Sequence, residues 1–190
     1  MDYTALEGIL VFIKKAENLK NTLRYSFTSN GSQESSAEHS WRLSLLVMMC
    51  AGAFPGLNLE RALKLAIIHD LPEAICGDTP AIYQEEYATK ATKERNALSE
   101  IIQSLTIETQ NNIIELWEEY ENATTEEAKY VKCLDKLETL IQHNQGINPI
   151  EFNYEFNITY GNELVADNKI FSKLKQMIDV ETQRHIERVS

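Results

Sequence analysis

Apolar residues recur at intervals of three and four along nearly the whole chain, the spacing that gathers them on one face of an α-helix. Leu6, Ile9, Leu10, Ile13, Ala16 and Leu19 form one such face, and Leu59, Leu63, Ala66 and Ile67 form another. Capping signals mark where helices begin. Thr4-x-x-Glu7 opens the first, and Ser35-x-x-Glu38 opens a second that carries His39 and runs to about Ala53. Asn58 caps a third, which reaches His69-Asp70. Pro72 disfavours helical backbone at the residue before it, so the chain kinks or restarts there. Pro72 to Gly77 then reads as a short helix, with proline in its first turn and glycine at its end. Further helices are predicted over 84–105, 109–120, 125–145 and 168–189, with Thr124-x-x-Glu127 capping the one that carries Asp135. The polar stretch 21–35 reads as a loop, and 148–161 as a loop with a turn of helix. The expectation is an all-α helical bundle forming a single domain over residues 1–190.

Composition sets limits on what such a bundle does. The 190 residues are 43% apolar and 25% charged, ample for a packed core. Leu43 to Phe54 is the most apolar run and stops at Pro55-Gly56, well short of the roughly 20 residues that cross a bilayer. The opening MDYTALEGIL has acids where a secretion signal needs bases, so a cytoplasmic location is expected, with no membrane partner. Cys50, Cys76 and Cys133 are far apart and read as reduced thiols. Lysine and arginine total 18 against 29 acids, a net charge of −11, which excludes polymeric nucleic acid as a partner. A small anion would need a local cationic feature, and a bound metal supplies one.

Against that background His39, His69-Asp70 and Asp135 stand out. The charged pair His69-Asp70 closes an otherwise apolar helix, and such a conflict with the local pattern tends to mark function. Asp135 likewise interrupts Val131-Lys132-Cys133-Leu134. Each has an ordinary reading when taken singly: a histidine near a helix start is usually a surface or core residue, and Asp135 has Lys132 and Lys136 as neighbours. Together, two imidazoles and two carboxylates suit a divalent ion, filling four places of an octahedron and leaving two for water and substrate. Manganese, cobalt, iron and magnesium all fit, whereas a closed structural zinc site would call for thiolates. Such an ion acidifies water and polarises a phosphoryl oxygen. Other residues take plainer readings. Trp41 and Trp117 pack in helix interfaces, Met48, Met49 and Cys50 are core, and Glu118-Glu119-Tyr120-Glu121 is a solvated face. His143 sits near a helix end, where a cation is favoured, and His185 in the polar terminal helix.

His39, His69-Asp70 and Asp135 match, in order, the H…HD…D signature, and the chain resembles the HD-domain metal-dependent phosphohydrolases. Within them, four segments resemble the 5'-deoxynucleotidases of the YfbR type: Ser36-Ala37-Glu38-His39-Ser40, Ile68-His69-Asp70-Leu71-Pro72-Glu73, Gly77-Asp78-Thr79-Pro80 and Val131-Lys132-Cys133-Leu134-Asp135-Lys136. Leu116-Trp117-Glu118-Glu119-Tyr120-Glu121 is similar to a stretch of their eukaryotic and archaeal relatives. The resemblance spans residues 5–145 and fades over 146–190, a segment expected to pack on the rest.

The resemblance implies that His39, His69, Asp70 and Asp135 bind one divalent metal ion. It also implies that Glu73 and Asp78 position and activate the attacking water. Hydrolysis does need a carboxylate within hydrogen-bond reach of the nucleophile. On their own, Glu73 would be a favourable partner for a helix N-terminus and Asp78 a common turn residue. Arg24 and Tyr25 fall where the family has an Arg-Trp pair for phosphate and sugar, and His39 and Asp78 are placed beside the substrate too. A guanidinium fork suits two phosphate oxygens at once. The resemblance further implies homodimers. The implied activity is hydrolysis of (deoxy)nucleoside 5'-monophosphates to nucleoside and phosphate. Two alternatives stand beside it: an HD phosphohydrolase for a nucleoside triphosphate or an alarmone, and a non-catalytic helical interaction module. Arg24 as the only base in 21–35 favours the monophosphate, and the acid pair argues against the module.

Overall fold

The segment from Glu126 to Gln145 is buried along almost its whole length, the mark of a helix surrounded by others. The computed structural model describes residues 2–83 and 87–189. Its elements are α1 (Tyr3–Ala16), β1 (Leu23–Phe27), β2 (Gln33–Ser35), α2 (Ser36–Cys50), α3 (Leu59–Ile68), α4 (Glu73–Cys76), α5 (Tyr87–Ile102), α6 (Ile107–Asn122), α7 (Glu126–Gln145), α8 (Tyr154–Thr159), α9 (Asn162–Val165) and α10 (Lys169–Val189). The expected start of α5 at 84–86 lies outside the described residues.

The central helix α7 anchors the main core. Val131, Leu134, Leu137 and Leu140 meet Leu43 and Val47 of α2, Leu65 and Ala66 of α3, Leu116 of α6, and Phe171 and Ile178 of α10. Phe171 and Ile178 thus seat α10 on the helices before it. A second cluster joins Leu71 and Ala74 to Leu98, Ile101 and Ile102 of α5 and to Ile113 and Trp117 of α6, with Ile9 and Phe12 of α1 against it.

Several local expectations need correction. The cap of α1 is Asp2, not Thr4: Asp2 Oδ1 accepts the Ala5 N–H at 2.8 Å. Thr125 caps α7 in place of Thr124, whose N–H donates to the Glu119 carbonyl as the preceding helix closes through left-handed Ala123. The stretch 21–35 is not all loop. It contains the antiparallel pair β1 and β2, turned at Gly31 with φ +87°. Two such short strands, one with a single buried residue, leave almost no alternating apolar pattern to read. Ser35 does cap α2 in a full capping box with Glu38, and Asn58 caps α3.

Some residues read as core lie outside it. Trp41 and Met49 are each 67% exposed, and Met48, Leu6, Leu10 and Ile13 are exposed as well. Trp117 is buried as expected. The acidic run is also not a solvated face throughout. Glu119 is buried, paired with Arg61 and bonded by Thr125, and Tyr120 is buried against α7.

Candidate metal centre and its cavity

Three local sequence signals bring the signature residues together. The capping box at Ser35 fixes the first turn of α2 and so aims His39 inward, where it is fully buried. His69 follows the last residue of α3, and Pro72 restarts the chain so that Asp70 precedes α4. Asp135 comes from the middle of α7.

The donor atoms converge. His39 Nε2 lies 3.4 Å from His69 Nε2, 3.2 Å from Asp135 Oδ1 and 3.8 Å from Asp70 Oδ2, and His69 Nε2 lies 3.1 Å from Asp70 Oδ2. The opposite ring nitrogens have their own partners: His39 Nδ1 meets Glu138, and His69 Nδ1 meets the Ala66 carbonyl at 2.9 Å. A carbonyl accepts only, so His69 carries its hydrogen on Nδ1 and turns an Nε2 lone pair inward. The Glu138 carboxylate imposes the same tautomer on His39. The donor atoms of His39, His69 and Asp70 then gather at one place, with Asp135 joining through its contact to His39, an arrangement that repels itself unless a cation sits there. The N/O donor set fits a divalent ion of the manganese, cobalt, iron or magnesium kind.

Electrostatics record the same demand. Burial and Arg24 act to lower the His39 pKa, yet Glu138 and Asp135 outweigh them and raise it to about 10. Asp70 and Asp135 both fall below the ordinary carboxylate range: burial opposes this, but the two histidines act on each carboxylate and Lys136 acts on Asp135.

Apart from His39, which is fully buried and does not line it, the expected substrate residues open on one cavity. Arg24, Tyr25, Glu73 and Asp78 line it together with His69, Asp70 and Asp135. Arg24 Nη1 donates to Asp70 Oδ2 at 3.3 Å and Nη2 to Thr139 at 3.2 Å. Its Nε pairs with Glu34 at 3.4 Å without the alignment of a hydrogen bond. One N–H on each terminal nitrogen is left for a ligand. Its place on β1 is held from α7, since Gln142 Nε2 donates to the Phe27 carbonyl at 2.6 Å.

Glu73 is buried at the start of α4 and accepts from Ser36 Oγ at 2.6 Å. Burial first, then Asp70 and Asp78, push its pKa well above the usual range. Gly77, at φ +76°, ends α4 in a conformation that glycine adopts without cost and turns the chain so that Asp78 faces the cavity. Burial raises the Asp78 pKa too, against the pull of Arg24. Tyr25 stacks on Phe152 at 5.5 Å and meets Tyr83 edge-on at 6.2 Å, and the stacked Tyr25 and Phe152 form an aromatic wall of the cavity that the acid pair also lines.

Several contributors were not singled out in the sequence. Glu138 holds His39, and Arg42 holds Glu138. The spacing carried a signal, since Glu138 follows Asp135 by three on α7 and Arg42 follows His39 by three on α2. Tyr120 donates to Asp135 Oδ2 at 2.7 Å. His143 is a buried neutral residue, not an exposed cation: burial lowers its pKa to about 4, and Nδ1 meets Asn157 Oδ1 at 2.9 Å. His185 stacks on Tyr154, away from the centre.

A family model described as the HD domain matches residues 16–175. The chain belongs to the HD-domain family. Among relatives of this HD domain, the 5'-deoxynucleotidase hdd1 of Schizosaccharomyces pombe is 36% identical over 142 residues, 71% of this chain and 70% of the relative. The mouse 5'-deoxynucleotidase HDDC2 is 32% identical over 140 residues, 73% of this chain and 69% of the relative. A conserved hypothetical protein of Pyrococcus furiosus shares 30% identity with a TM-score of 0.60, over 92% of this chain and 99% of that one. A predicted metal-dependent phosphohydrolase of Magnetospirillum magnetotacticum shares the fold at a TM-score of 0.78 and 23% identity, over 97% of this chain and 94% of that one.

Proposed function

We propose that this HD domain is a metal-dependent phosphomonoesterase that hydrolyses deoxynucleoside 5'-monophosphates to nucleoside and phosphate. One observation carries the reading. His69, Asp70 and Asp135 of the donor set, the acid pair Glu73 and Asp78, and the guanidinium of Arg24 all open on one cavity beside an aromatic wall. The 5'-deoxynucleotidase names of its relatives supply the substrate class.

His39, His69, Asp70 and Asp135 would hold one divalent ion, which supplies the Lewis acidity that phosphate-ester hydrolysis draws on. Arg24 presents two N–H groups to phosphate oxygens. Glu73, its pKa pushed well above the ordinary carboxylate range by burial and the neighbouring carboxylates, is suited to carrying a proton and passing it within the pair it forms with Asp78. Together these two carboxyl groups orient the attacking water and manage the proton of the leaving 5'-oxygen. Tyr25, stacked on Phe152, faces the sugar. A triphosphate or alarmone is less well served. The cavity contains Lys90, Lys132 and Lys136 in addition to Arg24, but Lys90 pairs with Glu94 and Lys136 with Asp135, which leaves Lys132 as the one of these lysines without a carboxylate partner among the described residues.

We extend the reading to a cytoplasmic enzyme working as one domain and as a homodimer. Among the described residues no helix is long and apolar enough to cross a membrane. Trp41, Leu45, Met48 and Met49 form an exposed apolar stripe on α2, at helical spacing and suited to self-association. Sedimentation velocity of the wild type and W41E tests this: a dimer that W41E dissociates supports it, and a wild-type monomer rejects it.

The activity is tested by phosphate release from deoxynucleoside 5'-monophosphates in manganese or cobalt, with ribonucleotides and triphosphates in parallel. Turnover of the deoxymonophosphates that D70A removes is the expected result. Turnover that D70A leaves intact overturns the assignment.

A further inference from the structure

The cavity holds three lysines: Lys90 on α5, and Lys132 and Lys136 on α7. Lys90 faces Glu94 at 3.4 Å, and Lys136 donates to Asp135 Oδ2 at 2.9 Å. Lys132 is different. Among the described residues no carboxylate lies within 4.0 Å of its ammonium group and no acceptor takes its hydrogens. What holds it is the face of Tyr120, with Nζ 4.7 Å from the ring centroid.

A half-buried ammonium without a counter-charge is costly, and the surroundings add to the cost. Lys136 lies one turn further along the same helix face, where like charges repel. Burial lowers the Lys132 pKa, Lys136 and Lys90 add to the effect, and Glu121 and Asp135 only partly oppose it. An anion arriving in the cavity would relieve each of these at once.

The position of Lys132 says which anion. On α7, Lys132, Asp135, Lys136 and Thr139 share one face and line the cavity together. Arg24 is bonded at the Thr139 end of this stripe. Lys132 lies at the other end, about 10 Å away along the axis at 1.5 Å per residue, with Asp135 between them. The same Tyr120 that carries Lys132 on its ring donates its hydroxyl to Asp135. Along α7, Lys132 and the Arg24 partner Thr139 therefore lie on either side of Asp135.

We propose that Lys132 is a second cationic contact for the substrate's phosphate, taking an oxygen on the side of the centre away from Arg24. The identity of the substrate rests on the monophosphatase reading, but the anion contact itself is testable with inorganic phosphate alone. The manganese-loaded wild type is treated with acetic anhydride, with and without saturating phosphate, and lysine modification is read by peptide mass. Phosphate is expected to slow modification of Lys132 fivefold or more while leaving exposed Lys64 unchanged. Equal rates at Lys132 with and without phosphate overturn the proposal. Direct titration adds a second reading. K132M is expected to weaken phosphate binding about tenfold or more, the effect of one lost charge-assisted hydrogen bond, while K132R stays within about threefold of wild type. A folded K132M that binds phosphate like the wild type also overturns it. Should K132M not fold, the wild-type labelling decides. If phosphate protects Lys132 but no deoxymonophosphate is turned over, the lysine contact stands and the monophosphatase reading falls.

Discussion

The Nε2 atoms of His39 and His69 face each other 3.4 Å apart, each with the far side of its ring already bonded, one to Glu138 and the other to the Ala66 carbonyl. Neither ring can turn away without leaving a buried polar group unpaired. The pair is thus pre-set to share a cation, and without a metal His39 takes up a proton instead.

That competition sets the pH dependence of metal binding. His39 has its pKa raised from 6.5 to about 10, so below about 10 a metal must displace a proton. Affinity for manganese is therefore expected to tighten as pH rises from 6 to 9, by up to about tenfold per unit. Calorimetry in buffers of differing ionisation enthalpy should show proton release on binding. Affinity independent of pH would contradict a proton held on His39 in the metal-free protein.

Glu138 acts through His39 and is itself clamped by Arg42. E138A frees the His39 ring and removes the buried partner of two cationic groups. Metal affinity is expected to fall about 10- to 100-fold, the usual range for loss of such a supporting carboxylate. Thermal unfolding of the metal-free protein should drop as well. Unchanged metal affinity in E138A would show that the ring is held by its other neighbours.

His143 gives the acid limb of stability. Its folded pKa, lowered from 6.5 to about 4 chiefly by burial, means that below 6.5 the unfolded chain binds a proton the native state refuses. The stability contributed by neutral His143 is full above 6.5 and declines as pH falls toward 4. H143Q is expected to flatten the melting-temperature profile between pH 6.5 and 4 relative to wild type. Parallel profiles would contradict this.

Gly146 ends α7 against the strand that carries Arg24. A Cβ built there would lie 2.1 Å from the Phe27 carbonyl oxygen, too close for either backbone to keep its place. G146A is expected to cost about 1–3 kcal/mol as an overpacking change. It should also raise KM, because displacing Phe27 moves the strand that presents Arg24. A melting temperature and KM equal to wild type would mean the contact yields freely.

The helices were legible because their signals are local. Ser35 and Glu38, Asn58, and the Pro72 to Gly77 punctuation all act within a single turn, and the structure uses them as read. Which face of a helix is covered is not a local property. Leu6 and Trp41 look like core in sequence, yet among the described residues both stay largely exposed. The hairpin was missed because two short strands show almost no periodicity, although it carries Arg24 and Tyr25. At the site, His69-Asp70 and Asp135 stand out as polar residues interrupting apolar runs, and His39 only in combination with them. Tyr120 and Glu138 were hidden because an acidic or aromatic residue on a helix looks the same whether it meets water or a buried ligand. Only the packing of α6 and α2 against α7 reveals the difference.

Anomalous diffraction from crystals grown with manganese or cobalt bears most directly on the shared centre. One anomalous peak is expected within bonding distance of Nε2 of His39 and His69 and of a carboxylate oxygen of Asp70 and Asp135. A peak bonded elsewhere, or none at these four residues under saturating metal, would contradict it.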